Sequence, residues 1–159
     1  MSDIILQRLK SEDAAERREV AEELMTQEID ESLVIELTKL LEDVDKGVRD
    51  AVCFTLAYNG NPDITKFVVP YISSSDISVR NLAGDIILKI GVPAIPKCVD
   101  YIDKGNDDDQ KFLIDLIGLI GTDEGIPKIR EILHKSKNDN VILTHHACWR
   151  IGVCAKSLR

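Results

Sequence analysis

The stretch VRDAVCFTLAYNG, residues 48–60, is followed 31 residues later by VRNLAGDIILKIG, residues 79–91. Both open on Val-Arg and close on Gly. With glycine as the registration mark the pattern extends further, because Gly60, Gly91, Gly121 and Gly152 stand 31, 30 and 31 residues apart. Self-similarity at a fixed spacing in this range is the signature of a repeat architecture. Between marks, two apolar-periodic segments of about 12 to 15 residues alternate with short polar breaks, the length and spacing of an antiparallel helix pair. The reading is all-α: ten helices in five pairs, with units at approximately 1–29, 30–60, 61–91, 92–121 and 122–152 and a tail at 153–159, forming a single repeat domain.

Composition agrees with this. Aromatics make up 4% of the 159 residues while apolar residues reach 44%, which suits thin, closely stacked helices better than an aromatic-rich β-sandwich. The N-terminal stretch MSDIILQRLKSEDAAERREV is too charged for a signal peptide, and no run approaches the ~18 apolar residues of a membrane span. A cytoplasmic location is expected. The formal charge is −8, and all of it lies in residues 1–50, where 15 acids face 7 bases. Such a field repels phosphate backbones and anionic lipid, so neither nucleic acid nor membrane is expected as a partner.

Helix punctuation falls where the repeat requires it. Ser11, Asp30, Asn61 and Thr122 precede apolar-periodic segments as caps, and Pro62 and Pro93 occupy first-turn positions that forfeit no hydrogen bond. The closing glycines sit where a left-handed residue ends a helix most cheaply. Pro70 lies late in its helix, which should kink or end early near Tyr71. Asp13 and Arg17, Asp45 and Arg49, and Asp76 and Arg80 repeat an i, i+4 acid–base spacing, and stacking of the units should turn these pairs into a ladder.

The units DKGVRDAVCFTLAYNG and DISVRNLAGDIILKIG resemble HEAT-like repeats, in particular the short bacterial and archaeal type also found in phycobilin lyases. The likeness covers residues 12–152. It is best in the second and third units, whereas NDDDQKFLIDLIGLIG and NDNVILTHHACWRIG lack Val-Arg and match by apolar spacing and final Gly alone. The resemblance implies a right-handed α-solenoid of the armadillo type. The second helix of each pair would line a concave groove, and the Glu-rich first unit would serve as a polar end cap. It also implies that positions two, three, six and ten after the Val face the groove. These are Asp50, Ala51, Phe54 and Tyr58; Asn81, Leu82, Asp85 and Lys89; Lys111, Phe112, Asp115 and Leu119; and Ile142, Leu143, His146 and Arg150. Ala51, Leu82, Phe112 and Leu143 would then align as an apolar stripe, a feature that marks contact sites.

Catalytic and cofactor chemistry finds little footing. Cys53, Cys98, Cys148 and Cys154 match no zinc spacing and read as packing residues. His145, His146, Cys148 and Cys154 lack a further ligand at a suitable spacing, so no metal is expected. The acidic run DKGNDDDQ at 103–110 lacks the central glycine spacing and the twelfth-position glutamate of a calcium loop, and Asn106 or Asp107 reads as a helix cap. No Walker, dinucleotide or nucleophile-elbow motif occurs.

The leading expectation is therefore a noncatalytic module or scaffold, without cofactor, that binds a protein or peptide in its groove. An accessory or chaperone-like subunit of a phycobilin-lyase type enzyme is the alternative. A HEAT-like nucleic-acid binder ranks third, since Lys89, Lys111, His146 and Arg150 are opposed by Asp50, Asp85 and Asp115. The last unit ends in IGVCAKSLR with no further polar helix, and Trp149 or Ile151 predicts a weak homodimer there.

Overall fold

The computed structural model describes residues 2–135, and these are helical with no strand among them. The helices are α1 (Ser2–Leu9), α2 (Ala14–Leu24), α3 (Glu31–Lys39), α4 (Lys46–Tyr58), α5 (Thr65–Val68), α6 (Ile77–Ile90), α7 (Ile95–Ile102), α8 (Asp107–Ile120) and α9 (Ile126–Lys135). The sequence expectations for residues 136–159, including Ile142, Leu143, His145, His146, Cys148, Trp149, Arg150, Ile151 and Cys154, lie outside the described residues. No helix of the described residues is long and apolar enough to cross a membrane.

Contacts gather the chain into two compact units, Met1–Ile90 and a second that begins at Gly91. In the first, α1 packs on α2, α3 on α4 and α5 on α6, while α2, α4 and α6 are successive neighbours and so are α1, α3 and α5. In the second, α7 packs on α8, and α7 and α9 both meet the 3-10 turn Asp123–Gly125.

The repeat spacing is visible in the core. Val48, Val52, Thr55 and Leu56 of α4 are buried, and 31 residues on so are Val79, Ala83, Ile86 and Ile87 of α6. In α8 the same columns hold buried Asp109, Leu113, Leu116 and Ile117, at a shift of 30. Asp109 thus stands where the better-matching units have Val. Its carboxylate accepts from the Asn106 amide at 3.1 Å while the Asn106 side chain accepts from the Asp108 and Asp109 amides, a capping box that satisfies a buried charge. Asn106, rather than Asp107, is the cap.

Local endings follow the sequence chemistry. Gly60, Gly91 and Gly121 all have positive φ. Gly121 is a left-handed cap whose amide donates to the Ile117 carbonyl. Gly91, at φ 74° and ψ −137°, lies in a region essentially closed to other residues. The α-helical part of α5 stops at Val68, and a 3-10 segment Val69–Ser73 carries Pro70, so the helix does end early.

Two sequence expectations change. Asp13, not Ser11, caps α2 by accepting from the Ala15 amide, and the Ser11 hydroxyl accepts from the Asp13 amide. The pairs Asp13–Arg17 and Asp45–Arg49 are not drawn together as ion pairs: the carboxylates of Asp13 and Asp45, like that of Asp76, accept capping bonds from the Ala15, Val48 and Ser78 amides. The guanidinium of Arg17 turns back to the Ser11 and Glu12 carbonyls, and that of Arg49 to the Asp43 and Val44 carbonyls. Arg17 also reaches the next helix pair, donating from Nε and Nη2 to the Asp43 carboxylate at 2.7 and 2.8 Å. Both side chains are nearly covered, 11% and 5% exposed. A rung between neighbouring pairs exists, then, but it is Arg17–Asp43. Thr55 Oγ1, donating to the Ala21 carbonyl at 2.6 Å, and Asn59 Nδ2, donating to the Gln27 carbonyl at 2.8 Å, are among the other polar links between successive pairs.

Candidate functional site

The core columns of α4, α6 and α8 sit at zero, four, seven and eight residues from the Val position, so positions two, six and ten fall on the opposite side of a 3.6-residue helix. The structure places Phe54 and Tyr58 of α4, Asp85 and Lys89 of α6 and Leu119 of α8 in the open. Position three differs. Ala51 is buried, and Leu82 and Phe112 are half-buried, because this position turns towards the flank of its helix. Ala51 of the expected apolar stripe is therefore covered and Leu82 and Phe112 partly so, and of the expected groove residues the exposed apolar ones are Phe54, Tyr58 and Leu119. Asp115 is half-buried.

In the first unit, Phe54 and Tyr58 are one helical turn apart and lie with ring centroids 5.7 Å apart and planes 18° from parallel. They are 58% and 53% exposed, a large apolar area left in water by a stacked pair. Lys89 of the neighbouring α6 holds its ammonium 4.1 Å over the Tyr58 ring centroid. Beside Phe54 a shallow cleft of 320 Å³ opens, lined by Arg18, Glu22, Gly47, Asp50, Ala51 and Phe54. Arg18 pairs with Glu22 at 2.8 Å and Lys46 with Asp50 at 2.5 Å, all four well exposed.

Arg18 and Glu22 were missed as site residues, although the signal was present. They stand 32 residues before Asp50 and Phe54, the first unit's own positions two and six, where no Val-Arg flags the register.

Among the described residues the two thiols, Cys53 and Cys98, are held away from the thiolate form. Burial pushes Cys53 up to about 11, reinforced by the charges of Asp85 and Asp50, and burial alone pushes Cys98 up to about 12. Among the described residues no group of three or more His, Cys, Asp or Glu side chains is placed to hold a metal ion.

No protein-family model and no curated protein sequence matches the chain. Among solved structures, the crystal structure of one engineered protein is similar at 16% identity and a TM-score of 0.46, covering 94% of this chain and 76% of the other. That of a second engineered protein is similar at 18% identity and a TM-score of 0.50, covering 95% of this chain and 46% of the other. At such identity the second likeness speaks to the helical fold alone.

Proposed function

We propose that the chain is a noncatalytic interaction module of HEAT-like, α-solenoid type, which binds a protein or peptide along its second helices from a cytoplasmic location. The observation that supports this reading is the stacked, solvent-exposed Phe54–Tyr58 pair at positions where the repeat does not need apolar groups for its core. Exposed aromatics beside a cleft have the character of binding anchors, whose truncation typically costs about 2 kcal/mol or more of affinity. A fold-stabilising role would predict burial instead. The experiment is affinity capture from native cell extract with wild-type, Phe54→Ala and Tyr58→Ala proteins immobilised in parallel. A partner retained by wild type and lost from both variants, with unchanged melting temperatures, supports the reading. Equal capture by all three proteins rejects it.

A further inference from the structure

The geometry points to a binding site for an arginine side chain of a basic peptide, with the Phe54 ring as its stacking floor and the carboxylates of Glu22 and Asp50 as its walls. This rests on the module reading above and specifies the partner's chemistry.

Charge favours a cation over any other occupant. Residues 1–90, the first compact unit, carry 18 acids against 10 bases, so the whole formal charge of −8 belongs to it. At the cleft itself Glu22 and Asp50 are matched by Arg18 and Lys46, so the excess belongs to the unit around it. On α2 the carboxylates of Glu16, Glu19 and Glu23 share the single guanidinium of Arg8 at 3.4, 3.8 and 2.8 Å. Asp50 and Asp85 both act electrostatically on Cys53, the residue next to Phe54. A cleft in such a field raises the local concentration of cations and speeds their arrival.

The aromatic pair already holds one cation. Lys89 covers the Tyr58 ring, which leaves the exposed Phe54 beside the cleft as the ring for an incoming group. Among the described residues Glu22 and Asp50 are ion-paired with Arg18 and Lys46 alone, in i, i+4 pairs open to water. Pairs of that kind contribute a few tenths of a kcal/mol, so their carboxylates exchange partners at little cost. A planar guanidinium stacks on a ring and forks onto carboxylates at once, whereas an ammonium is a strongly hydrated point charge. The site therefore selects arginine over lysine.

Fluorescein-labelled peptides Gly-Arg-Gly-Arg-Gly, Gly-Lys-Gly-Lys-Gly, Gly-Glu-Gly-Glu-Gly and Gly-Leu-Gly-Leu-Gly are titrated with the full chain and followed by anisotropy. The arginine peptide should bind, the lysine peptide several times more weakly and the glutamate peptide not at all. Phe54→Ala should weaken arginine-peptide binding about tenfold, the loss expected for a partly desolvated cation–aromatic contact. Phe54→Leu, which keeps an apolar side chain and removes the ring, should do the same should the alanine variant fail to fold. Glu31→Gln removes an equal charge from a site paired with Lys66 and should leave binding unchanged. Arginine-peptide binding that ignores Phe54, or that falls equally in Glu31→Gln, overturns the proposal as diffuse electrostatics. Binding of the leucine peptide alone, lost in Phe54→Ala, overturns it while leaving the module reading standing. A glutamate peptide bound more tightly than the arginine peptide overturns the charge argument, and no binding by any peptide overturns the proposal outright.

Discussion

Replacing Asp43 by Ser should destabilise the protein by about 2 to 3 kcal/mol, and serine is the informative choice because the fold already uses it there. The hydroxyls of Ser11 and Ser74 accept from the amides of Asp13 and Asp76, as the Asp43 carboxylate accepts from the Asp45 amide. Asp43→Ser therefore keeps the local turn and removes the rung to Arg17, together with a weaker attraction to the charge of Arg49. Two bonds to a charged guanidinium are lost, and a bond to a charged group contributes ~1.5–3 kcal/mol. Stranding one member of a fully buried pair costs ~3–5 kcal/mol and of an exposed pair under ~1. At 11% and 5% exposure the pair lies near the buried end, but Arg17 keeps its bonds to the Ser11 and Glu12 carbonyls. The assay is a urea-denaturation cycle of wild type, Asp43→Ser, Arg17→Met and the double variant, with a coupling energy of about 2 kcal/mol expected. Coupling below about 0.5 kcal/mol would refute the rung as a stabilising contact.

The pH dependence of the cycle has a definite sign. Burial pushes the Asp43 carboxyl up, but the Arg17 hydrogen bonds, the Asp45 amide and the charges of Arg17 and Arg49 together hold it below its ordinary value. Its folded pKa is thus below its unfolded one near ~3.9. The stabilisation is complete above that unfolded value and is lost as pH falls through the folded one, so wild type and Asp43→Ser should converge in stability below about pH 4.

Thr55→Val removes the donor to the Ala21 carbonyl from a fully buried position and should cost about 1 to 3 kcal/mol by urea denaturation; a neutral result would mean that the carbonyl finds another donor. Gly91→Ala forces a β-carbon into φ 74°, ψ −137° and should lower stability by about 1 to 3 kcal/mol, and an unchanged melting temperature would refute the strain argument. Iodoacetamide at pH 8 should label Cys53 and Cys98 orders of magnitude more slowly than in the urea-unfolded chain, since thiols shifted to about 11 and about 12 hold little thiolate; rapid native labelling in peptide mass maps would contradict their burial.

Much of this structure was legible in the order of residues because its period is set by glycine and by one apolar register. The positive φ of Gly60, Gly91 and Gly121 is demanded by backbone sterics, and a residue type that alone tolerates it is a reliable mark. The early end of α5 at Pro70 is equally local. Side-chain partnerships were less legible. Asp45 and Arg49 have the spacing of an ion pair, yet the aspartate gains more by satisfying an orphan amide of the helix start and the arginine by reaching carbonyls before it. The position of Ala51 could not be read as covered, since a helix neighbour decides whether a flank residue sees water. Phe54 and Tyr58 are named by the groove positions that the repeat resemblance implies, and their exposure agrees with a register that opposes the core columns.

The serine–aspartate–serine alternation at 11, 43 and 74 bears on the order in which the helix pairs follow one another. Only the middle position carries a carboxylate, so Arg17 has a charged acceptor in one neighbour and would meet Ser74 if residues 30–60 were excised. The pairs share a shape but are not interchangeable bricks. A shortened or shuffled array would present a nearly covered guanidinium to a hydroxyl, and the first pair thus recognises the second by chemistry as well as by fit.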